Sequence, residues 1–189
     1  RQIAEGAPFD AFAAANASFA DDAVQSGACL ADSKTSYAIG RIVLYAGSGT
    51  AGGPTSVADL ADPRFAKIAI ANPEHAPYGR AAKQALEHAG IWEQVSSRIV
   101  YGENVQQTLQ FAQSGNADAA IVAMSLVAVL PTTDGGARWT PIPEDMHARI
   151  EQVIVACSHG AAGADAGRRF VAFVGSEAGR AVLRRYGFL

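Results

Sequence analysis

Three short apolar runs, each separated from the next by a helical pattern, constrain this chain more than any other feature. KIAIA at 67–71, RIVY at 98–101 and DAAIV at 118–122 are compact and rich in Ile, Val and Ala, as buried strands are. Between them, 79–89, a short stretch near 91–96, and 104–114 carry helical patterns, and Gly115 supplies a stop. Strand–helix–strand–helix–strand predicts an α/β fold with a parallel sheet covered by helices on both faces. RIVLYAG at 41–47 adds a strand ahead of this unit, ended by a Gly-, Ser-, Thr- and Pro-rich stretch at 47–56, and SVADLA at 56–61 predicts a short helix. A less regular segment, 130–148, precedes a further strand at 150–156. Helices are expected at 16–26, with Gly27 as the stop, and near 163–174 and 176–186. The first 40 residues are Ala-rich and show no strand pattern.

At 189 residues the chain is long enough for one domain or two small lobes. Apolar residues make up 49% and charged residues 17%, a globular balance. The formal charge of −3 and the scattered basic residues argue against a nucleic-acid surface. Arg180, Arg184 and Arg185 read as the solvated face of the last helix. No apolar run approaches the ~20 residues a bilayer span requires. The chain opens on Arg1-Gln2-Ile3 with no signal peptide, which leaves the compartment open at this point. Cys29 and Cys157 lack metal-type spacing and are expected as buried, unpaired thiols, with a disulfide as the alternative.

In open α/β sheets, ligands sit beyond the carboxyl ends of the strands. That rule puts 72–79, after strand 67–71, and 102–106, after strand 98–101, on one rim. In NPEHAPYG, Pro73 and Pro77 stiffen the loop, and Gly79 lets the backbone approach closely. In YGENVQQ, Gly102 turns the chain, Asn104 can cap a helix, and the Val105 N–H is left to donate. Two helix openings aimed at one point make an anion site without a cationic side chain, and Tyr78 would add a phenolic donor. The plainer alternative is a pair of ordinary strand-to-helix turns.

Enzyme chemistry has less behind it. Ser125 and Ser158 lack a Gly-x-Ser-x-Gly setting. His75, His88, His147 and His159 are spread too widely for zinc, and His75 reads as a loop histidine. Glu103, beside a helix start, complements the dipole. Gly47–Gly53 lacks the Gly-Lys-Ser/Thr ending of a phosphate loop and reads as a flexible turn. A small hydrolase relying on Glu103 or His75 is the enzymatic alternative.

The segments EGAPFDAFAAAN (5–16), YAIGRIVLYA (37–46), NPEHAPYGRAAKQAL (72–86), YGENVQQTLQFAQSGNADAAIV (101–122) and FVAFVGSEAGRAVLRRYGF (170–188) together resemble the ModA family, the substrate-binding proteins of molybdate ABC transporters. The likeness runs over essentially the whole chain. It implies a periplasmic-binding-protein fold of the second type, with two α/β lobes and a ligand cleft between them. One lobe would comprise 1–41 and 156–189, the other 47–148, with crossover segments near 42–46 and 149–155. The resemblance implies capture of molybdate or tungstate in the periplasm and delivery to an ABC-transporter permease, with no catalysis, no cofactor and no metal beyond that of the oxyanion. It places Tyr78 and Val105 against the anion, with Pro77, Gly79 and Asn104 as neighbours. Some members of the family carry the tyrosine after the strand equivalent to 118–122, where this chain has Ala123; the Pro-Tyr-Gly arrangement favours Tyr78.

Relative to that family the sequence begins past two hydroxyl-bearing loops, so the first lobe is expected to be incomplete. Weakened anion binding, or strand exchange between two chains, is the expected consequence. An oxyanion-sensing effector domain of a transcription regulator is the alternative reading of the same fold.

Overall fold

A computed structural model of the protein describes residues 2–130 and 139–189. Part of the expected irregular segment, 131–138, lies outside the described residues. In chain order the elements are β1 (Ala11–Ala14), α1 (Ala17–Gln25), β2 (Thr35–Gly40), β3 (Ile42–Ala46), β4 (Ile68–Ala71), α2 (Pro77–His88), α3 (Trp92–Val95) and β5 (Ile99–Gly102). They continue with α4 (Val105–Gln113), β6 (Ala119–Ala123), α5 (Met124–Val127), β7 (Trp139–Pro141), β8 (Ile150–Ala156), α6 (Ala164–Gly175) and α7 (Glu177–Arg185). They form two compact units: Arg1–Gly40 with Ile150–Leu189 (unit 1), and Arg41–Arg149 (unit 2).

Unit 2 is built on a five-stranded sheet ordered β5-β4-β6-β3-β7. Every residue of β3, β4 and β6 is buried. Continuous burial of this kind, rather than alternation, marks strands covered on both faces. β4 pairs in parallel with β5 and with β6, so each connection needs a crossover, and α2 and α4 supply them. The chain steps from β4 to β5 and then back past β4 to β6. Right-handed crossovers in opposite directions put the two helices on opposite faces. Leu109 and Ala112 of α4 pack with Ala69, Ala120 and Val122 on one of those faces. On α2 the buried residues Ala81, Ala82, Ala85 and Leu86 recur at helical spacing and face the sheet.

The parallel unit expected of the strands now numbered β4, β5 and β6 is present, and the sheet continues beyond it with antiparallel strands. β3 runs antiparallel to β6, and β7 antiparallel to β3. An apolar run buried on both faces reads the same in either direction, so its periodicity carried no information about pairing sense. The short helix expected at 56–61 is a 3-10 turn over Val57–Ala61.

Two side chains tie the irregular part of unit 2 to its frame. The Asp59 carboxylate accepts from the backbone N–H and hydroxyl of Thr55, each at 2.8 Å, and from the Ser56 N–H at 3.0 Å and hydroxyl at 2.8 Å. These bonds, those from Thr55 foremost, hold the Asp59 carboxyl down at about 2. The Arg98 guanidinium donates to the carbonyls of Leu60, Ala61, Asp62 and Phe65 at 2.7–3.1 Å. These are carbonyls at the end of the 3-10 turn and just beyond it, and one planar fork serves them all.

Unit 1 holds a three-stranded sheet, β1-β8-β2, with β8 antiparallel to both neighbours. The sequence did not reveal β1 or β2. AFAA and TSYAIG have too few β-branched residues to stand out, and they become strands because β8 offers two edges to pair with. Leu189 at the carboxyl end exchanges two backbone hydrogen bonds with Ile39. Helix α1 starts at Asn16, whose side chain accepts from the Ser18 N–H at 3.0 Å. It ends at Gly27, with φ of 77°, the left-handed conformation glycine adopts at helix ends.

The cysteines are also corrected. Cys29 and Cys157 form a disulfide across an antiparallel bridge, with their Cα atoms 3.8 Å apart. Residues 128 apart in sequence give no local signal of pairing; only the meeting of β8 with the segment after α1 reveals it.

Replacing Arg98 by Ala should lower the stability of unit 2 by about 2 kcal/mol or more, the scale of hydrogen bonds to a charged donor. Lys should recover only part of that loss, since an ammonium cannot fork to four carbonyls; urea denaturation followed by Trp emission measures both. The depressed carboxyl of Asp59 contributes stability that is complete above about pH 4 and disappears as pH falls toward 2. An Asp59→Asn variant should therefore show a flatter loss of melting temperature between pH 4 and pH 2 than the parent protein.

Candidate functional site

The carboxyl ends of β4 and β5 lie side by side. Ala71 is paired with Gly102 in the parallel ladder, and the Asn72 N–H donates to the Gly102 carbonyl at 2.8 Å. Each strand end is followed by the opening of a long helix, so the two loops singled out in the sequence share one rim.

The first loop is held by Asn72. Its side-chain oxygen accepts from the Glu74 N–H at 3.0 Å, and its carbonyl accepts from the Ala76 N–H at 2.9 Å. Helix α2 then begins without a side-chain cap, on extended Ala76 with Pro77 at its first position. Proline there lacks only an N–H that would have had no helical partner, and its fixed φ suits the helix. Tyr78 is next and is half-buried. Gly79 is buried against the end of β4: a Cβ at this position would lie 2.1 Å from the Ala71 carbonyl oxygen. Glycine is thus required by close approach rather than by a special backbone angle.

The second loop is held by Asn104 and Gln107. The extended Asn104 caps α4, its side-chain oxygen accepting from Gln106 N–H at 3.1 Å and Gln107 N–H at 2.9 Å. The Gln107 side chain reaches back and accepts from the Glu103 N–H at 2.7 Å. Thr108 returns both its N–H and its hydroxyl to the Asn104 carbonyl. Gly102 is packed under this turn, where a Cβ would lie 2.6 Å from the Thr108 hydroxyl. The capping bonds account for the amides of Glu103, Gln106 and Gln107. Among the described residues the N–H groups of Val105 and Gly79 meet no protein acceptor, while the Val105 side chain packs on the sheet core.

The structure therefore brings Pro77, Tyr78 and Gly79 onto one helix opening and Asn104 and Val105 onto its neighbour. Such openings carry partial positive charge and available donors, which suits an anion and needs no protonated side chain. Glu103, Glu74 and His75 are exposed on the same loops. Ser158, weighed as a nucleophile, spends its hydroxyl on the Ala28 carbonyl at 3.0 Å. Asn72 and Gln107 escaped the sequence reading. Asn104-x-x-Gln107 does have the spacing of a capping box, so Gln107 was legible, whereas the role of Asn72 depends on the partner strand.

A separate hollow of about 800 Å³ lies within unit 1, lined by Ile3, Phe9, Ala11, Phe12, Phe19 and Ala23 among others. Its walls are mostly apolar, with Gln2 and Asp22 the polar side chains among them. Among the described residues no group of three or more His, Cys, Asp or Glu side chains could hold a metal ion, and no helix is long and apolar enough to cross a membrane.

The model of the bacterial extracellular solute-binding protein family matches residues 1–189. The molybdate-binding protein ModA of Rhodobacter capsulatus is 32% identical over 191 residues, covering 100% of this chain and 72% of its own length. ModA of Azotobacter vinelandii is 33% identical, covering 99% of this chain and 73% of its own length. Among solved structures, the periplasmic molybdate-binding protein of Azotobacter vinelandii superposes with a TM-score of 0.80 at 28% identity, over 100% of this chain and 81% of that one. The sulfate-binding protein SubI of Mycobacterium tuberculosis, at 14% identity and a TM-score of 0.76, shares the fold alone. Both units thus have the α/β architecture of periplasmic binding proteins of the second type, and the chain belongs to the bacterial extracellular solute-binding protein family.

Proposed function

We propose that the protein captures molybdate or tungstate in the periplasm and hands the anion, chemically unchanged, to the permease of an ABC transporter. The observation that carries this reading is the pair of adjacent helix openings joined by the Asn72–Gly102 hydrogen bond, with the Gly79 and Val105 amides left to donate. The names of the matched relatives supply the anion's identity.

Donors fixed before the ligand arrives replace its water without reorganising. Each hydrogen bond to a charged acceptor contributes roughly 1.5–3 kcal/mol, so a few such donors suffice for tight binding. The Val105 N–H and the Tyr78 side chain or backbone are assigned to the oxyanion in this reading. Pro77 and Asn104 neighbour those donors and set the helix openings, and the Gly79 N–H stands beside them as a further donor. Neutral donors do not distinguish molybdate, tungstate and sulfate by charge, so size governs selectivity.

Val105→Pro is the decisive variant. It deletes one N–H at the first helical position, where proline is tolerated. The preceding Asn104, at φ −150° and ψ 171°, already has the extended backbone that a residue before proline prefers. The helix should therefore survive, with the melting temperature lowered only by the lost packing of the Val105 side chain, while molybdate affinity measured by calorimetry falls about ten- to a hundredfold. Unchanged affinity would remove Val105 from the site. Tyr78→Phe should weaken molybdate if the hydroxyl is a ligand and leave affinity intact if the backbone alone serves. Failure of the parent protein to bind molybdate or tungstate, with sulfate as the control, would overturn the assignment.

A further inference from the structure

We infer that the Cys29–Cys157 disulfide is a redox latch confined to unit 1: that unit keeps its sheet only while the bond is oxidised, and unit 2 stays folded when it is reduced. This inference is independent of the anion assignment.

The connectivity of unit 1 is the first reason. Its central strand β8 comes from residues 150–189, and both strands paired to it come from residues 1–40. Every ladder in the unit therefore joins two arms separated by all of unit 2, and nothing local holds the arms together. The disulfide joins those same arms at the end of β8. Around it the Leu30 N–H donates to the Ala156 carbonyl and the Ser158 N–H to the Ala28 carbonyl, each at 2.9 Å.

The second reason is the distribution of apolar packing. The largest fully buried side chains, including Phe65, Leu60, Ile70 and Leu86, all belong to unit 2. Unit 1 has smaller clusters, and the one built from Ala20, Ala23, Val153 and Val155 includes the two cysteines themselves. Several of its large apolar residues stay exposed, Phe9, Phe19, Phe170 and Phe173 among them at 43–53%. A unit with so little burial gains most from a cross-link that limits its unfolded ensemble. Unit 2 contains no cysteine and has a core of its own.

The switching step balances simply. A dithiol attacks the Sγ–Sγ bond and closes to its own cyclic disulfide, supplying two electrons and two protons and leaving two thiols on the protein. Both sulfurs lie in buried residues, so reduction proceeds through opening of unit 1. In a reducing compartment the arms of unit 1 stay apart, and in an oxidising one the bond closes them.

The test compares the oxidised protein, the protein in excess dithiothreitol and a Cys29→Ala/Cys157→Ala variant, with the thiol count verified by mass. Hydrogen–deuterium exchange is read on peptides covering β1, β2 and β8 for unit 1, and β4 and β6 for unit 2. Trp92 and Trp139, the two tryptophans of the chain, both lie in unit 2 and report on it alone. Loss of the bond should lower protection in unit 1 at least tenfold, with exchange in unit 2 and Trp emission unchanged. Reoxidation should restore the protection. Full protection of unit 1 in either the reduced protein or the double variant overturns the latch, as does a loss of protection shared equally by both units.

Discussion

The contact on which the candidate site depends is backbone against backbone at the carboxyl end of β4. Gly79 rests on the Ala71 carbonyl with no room for a Cβ, and Asn72 is bonded to Gly102 on the neighbouring strand. These two contacts determine where α2 and α4 begin. A parallel ladder delivers both strand ends to one rim, and the absence of a side chain at Gly79 and Gly102 lets each helix start close to it. Wider packing at either point would move an amide by more than the tolerance of a hydrogen bond.

Capping chemistry then decides which amides remain. A helix opening has several N–H groups without helical partners, and most proteins satisfy them locally. In α4 the Asn104 and Gln107 side chains satisfy the amides of Glu103, Gln106 and Gln107, and the Val105 N–H is left among them. In α2 a proline removes one N–H altogether, and Ala76 at the N-cap has no side chain to cap the helix. The selectivity of such a site is a matter of position rather than charge, since the donors are neutral and attached to the frame.

The two units rest on different physics. Unit 2 has a sheet buried on both faces and large side chains fully removed from water, so burial alone can account for its fold. Unit 1 pairs distant arms of the chain around one central strand and carries a disulfide within its small core. Non-local pairing requires ordering entropy before contacts repay it, which explains why a covalent tie is useful there and redundant in unit 2.

Local chemistry made much of this legible in advance. The helices, the three parallel strands, the glycine stops at 27 and 115, and the loops carrying Tyr78 and Val105 follow from periodicity, β-branching and turn residues, all properties of neighbours in sequence. Resemblance over the whole chain added the family. Antiparallel pairing of β3 and β7, the existence of β1 and β2, the Cys29–Cys157 bond and the anchoring roles of Asn72 and Arg98 were decided only by tertiary structure. Each of these depends on which segment arrives alongside from far along the chain. Pairing sense, edge availability and sulfur–sulfur proximity are relations between distant residues, and neither partner's sequence contains them.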